Sequence, residues 1–263
     1  MKIGFYNIQG GTGKTTLAIN IAYYMSEVIR TIYVDCDIYG GNSALFFNME
    51  SVPETINSYL NGTYTVDEII HEYENLSVIV SDSTPNAFNT DFDIRKFIEL
   101  INYIDEEYDV VILDLPPNIT EGNLLFSNEE ISCKMIVVGE DSVPGIGGTL
   151  KTLELLDALG IEVIGTVINK DREIVNYEDV IDNIIAILPY DEEVEEHWIR
   201  GEPIVKKRTP FGKELSFLAR ELAESYIEKD LATMRAIKIA KEFKSQILGK
   251  YKKEEKKEDE ETF

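Results

Sequence analysis

The sequence predicts an α/β chain built on a mostly parallel, twisted sheet with helices on both faces, followed by a C-terminal helical tail. Three observations carry that expectation. Short runs rich in β-branched residues, such as "TIYVDCD" and "YDVVILDLP", alternate with segments of helical period along the chain. The runs are continuously apolar instead of alternating, as strands buried on both faces require. A glycine-rich loop separates the first run from the first helical segment, where an open α/β sheet holds its ligand beyond the carboxyl end of a strand.

Taken in order, "KIGFYNI" is the first strand and "TTLAINIAYYMSEV" the helix after it. "TIYVDCD", "LSVIVS", "YDVVILDLP", "KMIVVGE", "EVIGTVIN" and "IIAILPY" are the further strands. "DIRKFIELINYIDEEY" and "GTLKTLELLDALG" are amphipathic helices between them. The stretch "ESVPETINSYLNGTYTVDEIIHEYENL" reads as helices joining strands. Residues 1–228 form one domain in this reading. Residues 229–263 are a basic helix-like segment running into a mixed-charge tail that cannot bury a core and is expected to be disordered.

The 263 residues carry a formal net charge of −24, which works against binding a nucleic-acid backbone unless a local basic patch overrides it. No run of about 18 apolar residues offers a membrane-spanning helix, and nothing at Met1 reads as a signal, so the expected location is cytoplasmic. Cys36 and Cys133 have no metal-like spacing and read as free thiols of a reducing compartment. His71 and His197, far apart in sequence, read as structural.

The chemistry begins at "NIQGGTGKTT". Gly10, Gly11 and Gly13 let backbone amides turn inward around an anion, with Thr12 between them. Lys14 is placed to reach phosphates, Thr15 to ligate Mg²⁺, and Thr16 follows in the first turn of a helix whose positive end faces the same point. The loop misses the pattern G-x-x-x-x-G-K-[ST] by one residue, because Ile8 stands where the first glycine belongs. Asp35 and Asp37 end the second strand, and Asp114 ends a later one. An acidic residue at the tip of a buried strand needs a cation or several donors.

These blocks together resemble the MinD/ParA/Mrp group of P-loop ATPases. "NIQGGTGKTT" is similar to their deviant Walker A loop, "VDCDIYGGN" to their first switch and "ILDLPPN" to their second. "GTVINKD" and "ILPYDEEVEEHWIRGEPIV" resemble their base-side strand and late loop, and "TPFGKELSFLARELAESY" their closing helix. The resemblance implies ATP and Mg²⁺ as cofactors. Gly10, Gly11, Thr12, Gly13, Lys14, Thr15 and Thr16 would bind phosphates. Thr15, Asp37 and Asp114 would serve the metal, and Asp37 with Lys14 the reaction. Asn169 would recognise adenine with Pro189 against the base, and Asn42 would support the first switch. It further implies an ATP-dependent homodimer and a regulatory protein partner. Gln9 departs from the group, whose lysine at this position reaches across the dimer to the partner's nucleotide. Glutamine brings no charge, so slow hydrolysis is expected. The alternative is a nucleotide sensor, or a small-molecule kinase, that forms no ATP sandwich.

What the dimer grips is read from the tail. Ala232, Ala236, Ile239, Ala240, Phe243 and Ile247 share one helical face, flanked by Arg235, Lys238, Lys241 and Lys244. Through 229–253 such a helix could meet an anionic membrane surface, dock to a partner, or pack on its own domain. DNA is the weaker candidate given the charge, despite Lys206 to Arg208. The absence of a C-x-x-C pair speaks against an iron–sulfur cluster.

Overall fold

The structure, a computed structural model, describes residues 1–117 and 131–233. It divides into a compact unit, Met1–Arg220, and a second, Glu221–Phe263. In the first unit eight strands form one sheet: β1 Lys2–Tyr6, β2 Thr31–Asp35, β3 His71–Tyr73, β4 Leu76–Ile79, β5 Val110–Asp114, β6 Lys134–Glu140, β7 Val163–Asp171 and β8 Ile184–Pro189. Their order is β3-β4-β2-β5-β1-β6-β7-β8. Every pairing is parallel except β3 with β4. β1 therefore lies between strands added on opposite sides, so the loop leaving it opens at a topological switch point.

The helices are α1 Lys14–Ser26, α2 Ser43–Phe46, α3 Ile56–Leu60, α4 Ile94–Glu107, α5 Val143–Ala158 and α6 Glu193–Arg200, with residues 210–220 helical at the end of the unit. One core joins Ile32 and Val34 of β2, Val111 and Leu113 of β5, Phe97, Leu100, Ile101 and Ile104 of α4, and Leu156 of α5. The intervening strand residues Phe5, Tyr33 and Ile112 are fully buried as well, and α1 packs on β1, β2 and β5. Both faces are thus covered, which explains the unbroken apolar strands. α4 shows how locally the helices are specified. The Asp93 side chain accepts from the amides of Arg95 at 2.9 Å and Lys96 at 3.5 Å, and its apolar residues recur at helical spacing.

Two sequence expectations are corrected. The stretch 50–76, read as joining helices, also contributes β3, an antiparallel edge strand whose three residues are too few to show a period. α5 starts at Val143, five residues before "GTLKTLELLDALG", across Pro144, Gly145 and Gly147. Ser142 caps it by accepting from Gly145 N at 3.0 Å, and proline is tolerated in a first turn where its missing N–H has no helical partner. Of the second unit, residues 221–233 are described and helical. The basic face from Arg235 onward and the charged tail lie outside the described residues.

Candidate functional site

The glycine loop, residues 7–13, is held from below by a buried asparagine. Asn7 Nδ2 donates to the Val138 carbonyl at 2.9 Å and to Thr149 Oγ1 at 3.2 Å. Its Oδ1 accepts from Gln9 N at 2.9 Å and from Thr152 Oγ1 at 3.2 Å. The loop is thereby tied to β6 and α5 before its glycines begin. Gly11 and Gly13 take φ of +78° and +95°, a region that only glycine enters without strain. Gly13 caps α1, and a Cβ there would lie 2.1 Å from Asn169 Nδ2. Gln9 lays its side chain over Gly148 of α5, where a Cβ would come within 2.5 Å of Oε1. Lys14 is buried and donates to the Gln9 carbonyl at 3.2 Å. Burial pulls its ammonium below the usual lysine range, and the charges of Asp114 and Asp37 oppose that shift.

The acidic residues divide into different roles. Asp35 and Asp114 are paired neighbours at the carboxyl ends of β2 and β5. Asp35 is fully satisfied: Ser43 Oγ donates to it at 2.5 Å, Ser81 Oγ at 2.8 Å and Asp37 N at 3.0 Å. It anchors the loop that carries Asp37 and is not free for a metal. Asp37 Oδ1 accepts from Gly40 N at 3.0 Å and its carbonyl from Gly41 N at 2.8 Å, closing a tight turn. Asn42 Nδ2 donates within that turn, to the Gly40 carbonyl at 3.0 Å. Asp114 Oδ2 accepts from Tyr33 OH at 3.0 Å, while its buried Oδ1 has no hydrogen-bond partner among the described residues. Burial and the neighbouring Asp35 charge push the Asp114 carboxyl up to about 7, against the Thr15 hydroxyl and Lys14 ammonium beside it. Burial likewise raises Asp35 to about 6, although its donors resist.

On the other side of the loop a cavity of about 660 Å³ opens, lined by Gly13, Thr16, Asn169, Pro189, Tyr190 and Trp198 among others. That is the size of a small-molecule site. Asn169 Nδ2 donates to the Thr12 carbonyl at 2.8 Å, and its buried Oδ1 has no partner among the described residues. Asp141 shapes the far wall by accepting from the amides of Arg172 at 2.8 Å, Ile174 at 2.9 Å and Val175 at 2.9 Å. Burial alone would raise its pKa, but these amides and the Arg172 charge outweigh it and hold the carboxyl below the ordinary range. The Arg172 guanidinium lies 3.7 Å above the Tyr190 ring.

The predicted residues therefore gather in two adjoining places, with the phosphate loop, Asp37 and Asp114 in one and Thr16, Asn169 and Pro189 in the other. Neither histidine faces them as a free ligand. His71 Nε2 bonds the Glu54 carbonyl at 2.7 Å, and His197 Nδ1 sits 3.4 Å from Glu202. Both cysteines are buried and free. Sequence reasoning missed several contributors. Asp191 lines the cavity with a buried Oδ2 that has no partner among the described residues, and its position two residues beyond Pro189 was the available signal. Trp198 lines the same cavity and meets Phe46 of α2 with ring centroids 5.2 Å apart, a contact no spacing rule reveals. No helix among the described residues is long and apolar enough to cross a membrane.

Comparison with known proteins agrees with this geometry. Residues 1–159 match the family model AAA_31, described as an AAA domain. An uncharacterized ATP-binding protein of Methanocaldococcus jannaschii is 48% identical over 244 residues, covering 92% of this chain and 92% of the relative. A putative septum site-determining protein MinD of Guillardia theta is 26% identical, over 76% of this chain and 79% of that protein. Among solved structures, septum site-determining protein MinD of Pyrococcus horikoshii, complexed with Mg-ADP, superposes with a TM-score of 0.74 at 24% identity, over 84% of this chain and 94% of the other. The fold is thus that of MinD. With a family match over more than half its length and a relative nearly half identical along almost all of it, the chain belongs to the AAA_31 family of AAA domains, in the MinD/ParA group of P-loop ATPases.

Proposed function

We propose that this protein binds Mg-ATP, hydrolyses it slowly, and uses the change of phosphate state to switch a homodimer between partner-binding states. The observation that supports this most is Asp114, a buried carboxylate with one oxygen unpartnered among the described residues, set beside Lys14 and Thr15 at the foot of a glycine loop. A divalent cation fits that donor set, since it satisfies the free oxygen and relieves the repulsion between Asp114 and Asp35. Thr15 and Asp114 would hold Mg²⁺, with Asp37 at the edge of its shell. Bound Mg²⁺ supplies charge neutralisation for the phosphates.

The chain's own groups do the remainder. Amides of Gly10 to Thr16 cradle the phosphates, and Lys14 donates to an anionic oxygen in place of the Gln9 carbonyl. Asp37 orients the attacking water by releasing the Gly40 amide. Asn169 offers its free Oδ1 to the adenine amino group while Pro189 packs against the ring. Gln9, folded over Gly148, adds no charge, so turnover stays well below about 10 per second. The regulatory partner remains a protein by preference, with a membrane surface met through 229–253 as the second choice.

The test is product analysis with labelled ATP. Free phosphate released slowly, and lost in Lys14→Ala, is the expected result. Transfer of label to a small-molecule acceptor would identify a kinase instead.

A further inference from the structure

β7 is irregular where it meets the phosphate loop. Its pairing with β8 passes from Ile168↔Ile187 to Asp171↔Pro189, so β7 accommodates one residue more than its neighbour. Within that step Lys170 adopts φ +56°, a conformation that non-glycine residues adopt rarely and that gathers at functional sites. A bulge of this kind re-aims a side chain. Here Lys170 Nζ donates to the Gly11 carbonyl at 2.6 Å and lies 3.4 Å from Glu140 Oε1. The contact is at the open rim of the loop: the Lys170 side chain is 39% exposed, and a Cβ on Gly11 would meet nothing within 4 Å. An ion pair this long and this exposed is weak and readily exchanged.

The loop itself carries one ammonium, Lys14, and Gln9 supplies none. Lys170 and Glu140 line the base cavity together with Gly13 and Thr16, and from there the Lys170 ammonium reaches the Gly11 carbonyl, so it stands between the cavity and the glycine loop. We propose that Lys170 is a second phosphate cation of this site. With a nucleoside triphosphate in the loop, its ammonium leaves Glu140 for a terminal phosphate oxygen while the Gly11 carbonyl keeps it at the rim. The inference rests on the nucleotide reading given above and assigns it a charge that the loop sequence lacks.

Calorimetry on the full chain tests it, using Mg-ADP and a non-hydrolysable Mg-ATP analogue with wild type, Lys170→Gln and Lys170→Arg. Lys170→Gln should weaken the triphosphate about tenfold and the diphosphate less than about threefold, the scale of one charged hydrogen bond, and Lys170→Arg should stay within about threefold of wild type for both. A residue that only tethers the loop would weaken both nucleotides alike. If wild type binds both and Lys170→Gln weakens them equally or not at all, this inference alone fails. If wild type binds neither, the nucleotide site falls and the inference with it.

Discussion

Asp114 and Gly13 show how single residues set the terms of this site. The Asp114 and Asp35 carboxyls hold protons up to about 7 and about 6 in the folded chain, against about 4 unfolded. The folded state therefore binds more protons between those values. Stability from this source is complete below about pH 4 and falls as pH rises through the folded values. Asp114→Asn removes its share of that loss. Relative to wild type without nucleotide, the variant should gain roughly 2–4 kcal/mol between pH 4 and 8, read by urea denaturation, while losing Mg²⁺-dependent nucleotide binding. A difference that stays flat with pH would contradict the account. Gly13→Ala should cost at least about 2 kcal/mol and more than tenfold in nucleotide affinity, because φ +95° disfavours a side chain and the new Cβ meets Asn169. At this scale the sequence makes the glycine loop legible by its pattern and Asp37 and Asp114 by their place at strand ends, while Asn169 is legible only through the resemblance of "GTVINKD" to the family's base-side strand. It does not reveal that Asp35 is saturated by Ser43 and Ser81, since Ser81 lies just beyond β4, 46 residues away.

The elements of the site are held by side chains that cap loops. Asp141 fixes the segment after β7 through three amides, and with it the Arg172–Tyr190 stack on the cavity wall. Asp141→Ala should therefore destabilise the fold by about 2–4 kcal/mol, leaving three amides without their acceptor. Hydrogen exchange should quicken at residues 172–175 and nucleotide affinity should drop. Unchanged exchange there would mean that the loop is held by something else. The limits of the sequence are plain at this scale too. α4 is readable because its cap and apolar spacing agree. The first turn of α5 is not, because Pro144, Gly145 and Gly147 read as loop until the Ser142 cap and the close contacts at Gly145 explain it. β3 is invisible for a different reason: only its partner β4 makes it a strand.

For the first unit taken whole, the sheet brings the carboxyl ends of its seven parallel strands onto one edge, and that edge carries both the glycine loop and the cavity. Strand character was legible in the apolar runs, but the order that places β1 between β5 and β6 depends on crossovers no local pattern encodes. Trp198, the one tryptophan in the chain, lines the cavity. Its fluorescence should shift in a saturable way with Mg-ADP, and that response should vanish in Gly13→Ala. With a net charge of −24, binding to random duplex DNA should stay weak at physiological salt whether or not ATP is present. The proposed control of assembly by the phosphate state is tested most directly by light scattering of Asp37→Ala in Mg-ATP and in Mg-ADP. Blocking water activation traps the triphosphate state, so the account predicts a dimer in Mg-ATP and a monomer in Mg-ADP. A monomer in both, with binding confirmed, would contradict it.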